Sequence, residues 1–147
     1  MKVSFTKQPA FNFSRGISIG FLLFLSFISL SVFAQKNAWT APKDADNVKN
    51  PLSGNAASLA GGKTLYIANC GPCHGEKGKG DGPAAQGLNP KPADHTSTAV
   101  QGQTDGAIFW KMAEGRAPMP GYKKIFSDQQ RWGLLNYIRT LAKVSKK

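Results

Sequence analysis

Toward the C-terminus the apolar positions fall on a helical stripe. Leu134, Tyr137, Ile138 and Leu141 follow i, i+3, i+4, i+7 spacing. Ser127 and Gln130 form an S-x-x-Q pair ahead of them, so the pattern predicts a capped helix to about Lys143. A second helix is predicted from about Asp105 to Ala113, with Thr104 as N-cap and Gly115 just past its end. A third is predicted from about Leu59 to Asn69, where Gly62, Tyr66 and Cys70 recur every four residues on one face. No strand alternation and no internal repeat is present, so the expected fold is all-α with three main helices. The stretch from Gly75 to Gln103 is rich in Gly, Pro, Lys, Asn and Thr. A structureless loop that long is unusual unless it wraps something that replaces a protein core.

The chain start reads differently. Lys2, Lys7 and Arg15 precede an apolar run from Ile17 to Phe33, which ends Val32-Phe33-Ala34. Residues 1–34 are therefore predicted to be a secretory signal cleaved after Ala34. An uncleaved membrane anchor is the alternative, because the run is just long enough to span a bilayer. Residues 35–57 carry little apolar content and read as an extended arm or linker, with Trp39 tacked onto the domain surface. Residues 58–147 form the domain, its folding unit ending near 144. Of the 19 Lys and Arg, three lie in the leader, and the other 16 face 8 acidic residues. The lysines are dispersed and no aromatic-interleaved Arg stripe appears, which argues against nucleic acid. An acidic protein partner or an anionic surface suits such a chain better.

The only two cysteines stand in Cys70-Gly71-Pro72-Cys73-His74. Thiols one turn apart can each add across one vinyl group of a porphyrin. The following imidazole can then bind the iron, so the motif reads as covalent attachment of one c-type haem with His74 as proximal ligand. Cys-Gly-Pro-Cys is also the spacing of a thioredoxin-like dithiol, but that chemistry needs a strand before the first cysteine. Leu65-Tyr66-Ile67-Ala68-Asn69 reads as helix instead. A plain structural disulfide or a metal site is the remaining alternative. Haem of this type is attached outside the cytoplasm, in keeping with an exported, periplasmic chain.

Taken together, residues 58–144 resemble the small class I cytochromes c, particularly the bacterial monohaem type. The resemblance rests on Gly62, Tyr66, the Cys70–Gly75 motif, Gly80-Asp81-Gly82-Pro83, Gly115-Arg116-Ala117-Pro118-Met119-Pro120 and Leu134-Leu135-Asn136-Tyr137-Ile138. It implies three main helices and loops wrapped around one covalent haem c, and one-electron transport between respiratory or periplasmic redox proteins. It implies Met119 as the second axial ligand. A soft, neutral thioether favours ferrous iron and raises the potential. Both axial positions are then filled, so no bond chemistry is expected. A haem subunit of an enzyme complex or a small-ligand sensor is the alternative.

The resemblance also implies a backbone carbonyl of the Gly/Pro loop accepting from the other nitrogen of His74. Pro83 matches that position best, with Pro90 as the other choice. It sets Gly62 and Tyr66 against Leu134 and Tyr137, and places Lys77, Lys79, Lys123 and Lys124 around the exposed haem edge as a docking surface for acidic partners. His95 is the rival axial ligand, although a lone loop histidine is more often solvent-exposed. Met112, in mid-helix, is expected in the core. Trp110, Trp132 and Tyr122 are candidates for pocket walls or propionate hydrogen bonds, although such residues are more often simple core.

Overall fold

The capping signals govern the helices. The computed structural model describes residues 38–144; the predicted signal and residues 35–37 lie outside the described residues. Asn55 accepts a hydrogen bond from the Ser58 backbone N–H (2.8 Å), so the first helix, α1, runs Ala56–Asn69 and starts one turn earlier than expected. α2 is the four-residue turn Gly71–His74. α3, Thr98–Gln101, is capped by Ser97 inside the long loop, where no helix was expected. α4 spans Asp105–Glu114 and is capped by Thr104, which accepts from Ala107 (3.1 Å). Its chain reverses at Gly115, whose φ of 69° suits glycine. α5 spans Asp128–Val144. The predicted capping box is present in both directions: Ser127 N–H donates to Gln130 Oε1 (2.9 Å) and Gln130 N–H to Ser127 Oγ (3.3 Å). Ser127→Ala should therefore cost about 1 kcal/mol in denaturant unfolding. No strand occurs among the described residues, and the fold is all-α.

α1 and α5 cross at two glycines. A Cβ added to Gly62 would lie 1.9 Å from the carbonyl oxygen of Gly133, and one added to Gly133 would lie 2.7 Å from that of Ser58. The helices thus meet backbone to backbone. One turn on, the Tyr66 and Tyr137 rings pack at 5.0 Å. Tyr66, Leu134 and Leu135 are fully buried, and Ile138, Leu141, Ile108, Met112 and Trp132 complete the core around them. Phe109 stacks on Trp132 at 3.8 Å, and the Arg131 guanidinium lies 4.4 Å over the Phe109 ring. Met112 is core, as its mid-helix position suggests.

The segment expected as an extended arm is docked from Thr40 onward. Lys43–Asn47 make a turn of 3-10 helix, and the Ala45 carbonyl sits where a Cβ on Gly106 would be, 1.9 Å away. Asn50 donates to Asn136 (2.8 Å) and Asp105 (3.2 Å), Asn136 donates to the Leu52 carbonyl (2.7 Å), and Asp105 pairs with Arg139 (2.7 Å). The segment is held by directed polar contacts, which need little apolar content.

Candidate haem site

Cys70 ends α1, and its carbonyl accepts from both Cys73 N–H (3.1 Å) and His74 N–H (2.8 Å). One tight turn therefore carries both sulfurs and the imidazole. The thiols are free, Cys70 buried and Cys73 half-buried. Burial and the neighbouring Cys73 push the Cys70 thiol up to about 12. The following loop folds back beneath the turn: Gly80 N–H donates to the His74 carbonyl (2.8 Å) and Gly82 N–H to that of Cys73 (3.1 Å). A Cβ on Gly82 would lie 2.2 Å from the Pro72 carbonyl oxygen, so glycine permits this close return.

His74 is 9% exposed, and its Nδ1 lies 2.9 Å from the Ala93 carbonyl. A carbonyl can only accept, so Nδ1 carries the proton and the Nε2 lone pair is left for a metal. Burial lowers the His74 pKa, against the opposing pull of the Ala93 hydrogen bond, and favours the neutral, ligating form. The acceptor is neither Pro83 nor Pro90. Pro83 opens an exposed 3-10 turn, whereas residues 92–95 are drawn in by His95 N–H donating to the Gly78 carbonyl (2.6 Å) and by the Pro92 carbonyl lying against Gly80.

His95 departs from the expected exposed loop residue. Its ring stacks on His74 with centroids 4.0 Å apart and planes 18° from parallel, and its Nδ1 lies 3.0 Å from the Tyr66 hydroxyl. Burial of the ring, then the adjacent His74, push its pKa down to about 3. His95 lies over the face of the His74 ring and not at its Nε2 edge, so the two imidazoles would not hold one iron from opposite sides.

Met119 sits half-buried in a tight loop closed by Arg116 N–H to the Met119 carbonyl (3.0 Å) and Met119 N–H to that of Arg116 (2.9 Å). The neck of the loop is narrow: a Cβ on Gly115 would lie 2.3 Å from Gly121 N. Tyr122 N–H returns to the Met112 carbonyl (2.9 Å), while the Tyr122 hydroxyl reaches the carbonyl of Asn69, the residue before Cys70 (3.4 Å). Burial and the two thiols push the Tyr122 hydroxyl up to about 12. Tyr122 thus ties the methionine loop to the attachment turn, Trp132 is core, and Trp110 is half-buried.

Two free thiols on one turn, an imidazole presenting only Nε2, and a thioether loop tied to that turn form a donor set that fits covalent haem. Among the described residues no cluster of three or more His, Cys, Asp or Glu could hold a bare metal ion. The cytochrome c family profile matches residues 59–142. The chain belongs to the cytochrome c family. Comparison with curated proteins gives no match. Among solved structures, the cytochrome is similar to a chain of the Kuenenia stuttgartiensis reducing HAO-like protein complex Kustc0457/Kustc0458, at 31% identity and a TM-score of 0.56. The match covers 64% of this chain and 49% of that one, so it spans about half of the neighbour's length.

As a cytochrome c, the protein has an all-α domain that carries covalently bound haem c. The helix before Cys70 removes the framework that a thioredoxin-like dithiol requires. Two of the four candidate docking lysines have local anionic partners. Lys79 lies 3.9 Å from Asp94 and donates to Thr96 (2.6 Å), and Lys123 lies 3.6 Å from Glu114. Lys77 and Lys124 are exposed.

Proposed function

We propose that this cytochrome is an exported, monohaem, one-electron carrier. Cys70 and Cys73 hold the haem through thioethers, and His74 and Met119 ligate the iron. The observation that carries this reading is the His74 imidazole, with Nδ1 committed to Ala93 and Nε2 left as donor, on the same turn as two free thiols. Bound haem would supply a one-electron ferrous–ferric couple, by which an electron from a reduced partner could be passed to an oxidised one. With His74 and Met119 both holding the iron, no position on it would be left open to a substrate. Export to the periplasm fits the N-terminal leader pattern. Among the described residues, no helix is long and apolar enough to cross a membrane.

Acid–acetone treatment should leave the haem on the polypeptide, and Cys70→Ser should leave a single attachment. Free extraction of the colour, with both thiols open to alkylation, would overturn the assignment.

A second reading is a fixed haem subunit of a larger assembly, favoured by the similar chain belonging to a protein complex. The two differ in how the electron arrives. A diffusing carrier docks through long-range attraction, so its bimolecular rate with an acidic redox partner should fall as salt shortens the Debye length to about 8–10 Å. Lys77→Glu with Lys124→Glu should slow that rate and leave the spectrum unchanged. A rate indifferent to both salt and these reversals supports the subunit reading.

A further inference from the structure

We propose that Tyr66 and His95 are positioning residues for the proximal ligand, a proton-ordered pair that sets the orientation of the His74 ring and thereby the potential. This inference rests on the reading of His74 as iron ligand. The segment 93–95 meets His74 twice: the Ala93 carbonyl takes the Nδ1 proton at 2.9 Å, and the His95 ring covers the face at 4.0 Å. An imidazole held at one edge can still swing about that hydrogen bond. A parallel ring against its face removes that freedom.

His95 is itself held from three sides. Its N–H donates to the Gly78 carbonyl (2.6 Å), and its carbonyl accepts from Gln101 Nε2 (2.6 Å). The same Gln101 amide nitrogen reaches the Ile138 carbonyl on α5 (3.0 Å). At the ring, Nδ1 meets the Tyr66 hydroxyl at 3.0 Å, and that hydroxyl donates to the Gly75 carbonyl at 3.3 Å. A phenol has one proton. With that proton directed at Gly75, the contact to His95 is filled by His95 Nδ1–H donating to the Tyr66 oxygen. The order is therefore His95 to Tyr66 to Gly75, the last being the neighbour of His74 in the chain. Apolar side chains would fill the same volume without any direction. This pair fixes the tilt of the His95 ring and couples it to α1 through fully buried Tyr66.

The sign of the effect follows from the Ala93 bond. A well-aligned Nδ1–H···O contact makes the imidazole more basic, which favours ferric iron. Loosening the clamp should raise the potential. In the haem-loaded protein, Tyr66→Phe keeps the ring in the core and removes only the hydroxyl. We expect a several-fold shift of the one-electron equilibrium toward ferrous, at most about tenfold or about 59 mV, with altered g values in ferric electron paramagnetic resonance. His95→Leu should shift both readouts the same way, and the double variant should go no further than the larger single change. His95→Asn, which keeps a donor near the Nδ1 position without the ring face, should fall between wild type and His95→Leu. Tyr137→Phe, which alters the other ring packed on Tyr66, should leave both readouts at wild-type values.

Wild-type g values and potential in both Tyr66→Phe and His95→Leu would overturn the proposal, as would additive effects in the double variant. Failure of the ligand reading is read separately: His74→Ala would then retain the native low-spin spectrum.

Discussion

Gly62→Ala should remove about 3 kcal/mol or more of stability, whereas the same change at the adjacent Gly61 should add about 0.5–1 kcal/mol. Both glycines lie inside α1, so the gain in helix propensity is the same for each. What differs is the space that the new methyl would enter. At Gly61 nothing lies within 4 Å of the Cβ position, and the residue is exposed. At Gly62 the methyl would lie 1.9 Å from the Gly133 carbonyl oxygen, 2.2 Å from its carbon and 2.8 Å from the Leu134 nitrogen. All three are backbone atoms of α5 and cannot rotate aside. The helices must separate, and the fully buried Tyr66 and Leu134 beside the crossing lose contact together. Denaturant unfolding of the haem-loaded variants gives the comparison directly. Equal effects at the two positions would mean that α1 and α5 do not cross at Gly62.

Met119→Ala should abolish the weak far-red sulfur-to-iron band of the oxidised protein and lower the potential by about 100 mV or more, roughly a fifty-fold change in the one-electron equilibrium. The thioether is soft and neutral and stabilises the ferrous state, so replacing it with water or a nitrogen ligand favours ferric iron. The loop is built to hold one position: it is closed at Arg116, pinched between Gly115 and Gly121, and tied by Tyr122 to the residue before Cys70. His95→Asn should leave the sulfur band intact, because His95 lies over the face of the His74 ring. Loss of the band in His95→Asn and its survival in Met119→Ala would make the site bis-histidine. Met112, in the core, is the other methionine of the domain, and Met112→Leu should preserve the band.

Contact range separates the features legible in the sequence from those that are not. The caps at Thr104 and Ser127 were readable because a cap is a bond between a side chain and a backbone three residues away. The stripe of Leu134, Ile138 and Leu141 was readable because helical geometry puts those spacings on one face, and all three are buried. The attachment turn was readable because its chemistry is local to five residues. The missed features are of another kind. The docked segment 40–55 depends on Asn50 meeting Asn136 across 86 positions, and nothing in either neighbourhood marks the pair. Gly133 carried no signal of its own, since its role exists only opposite Gly62. The Asn55 cap of α1 and the Ser97 cap of α3 are local signals too, but they stand in stretches whose composition reads as linker and as loop.

By itself the sequence determined that the chain is helical, where α4 and α5 begin, and which turn carries the two sulfurs and the imidazole. Each of these follows from short-range geometry, in which the partners are neighbours along the chain. Only the tertiary structure decided that Ala93 takes the His74 proton, 19 residues away, and that His95 covers the ligand's face beside Tyr66, 29 residues before it. The physical reason is that a long Gly/Pro loop has many closures of similar local energy. The one adopted is selected by contacts that exist only after the chain has folded back: the His95 amide on Gly78, the Gln101 amide on Ile138, and glycines that let the loop's backbone approach the attachment turn.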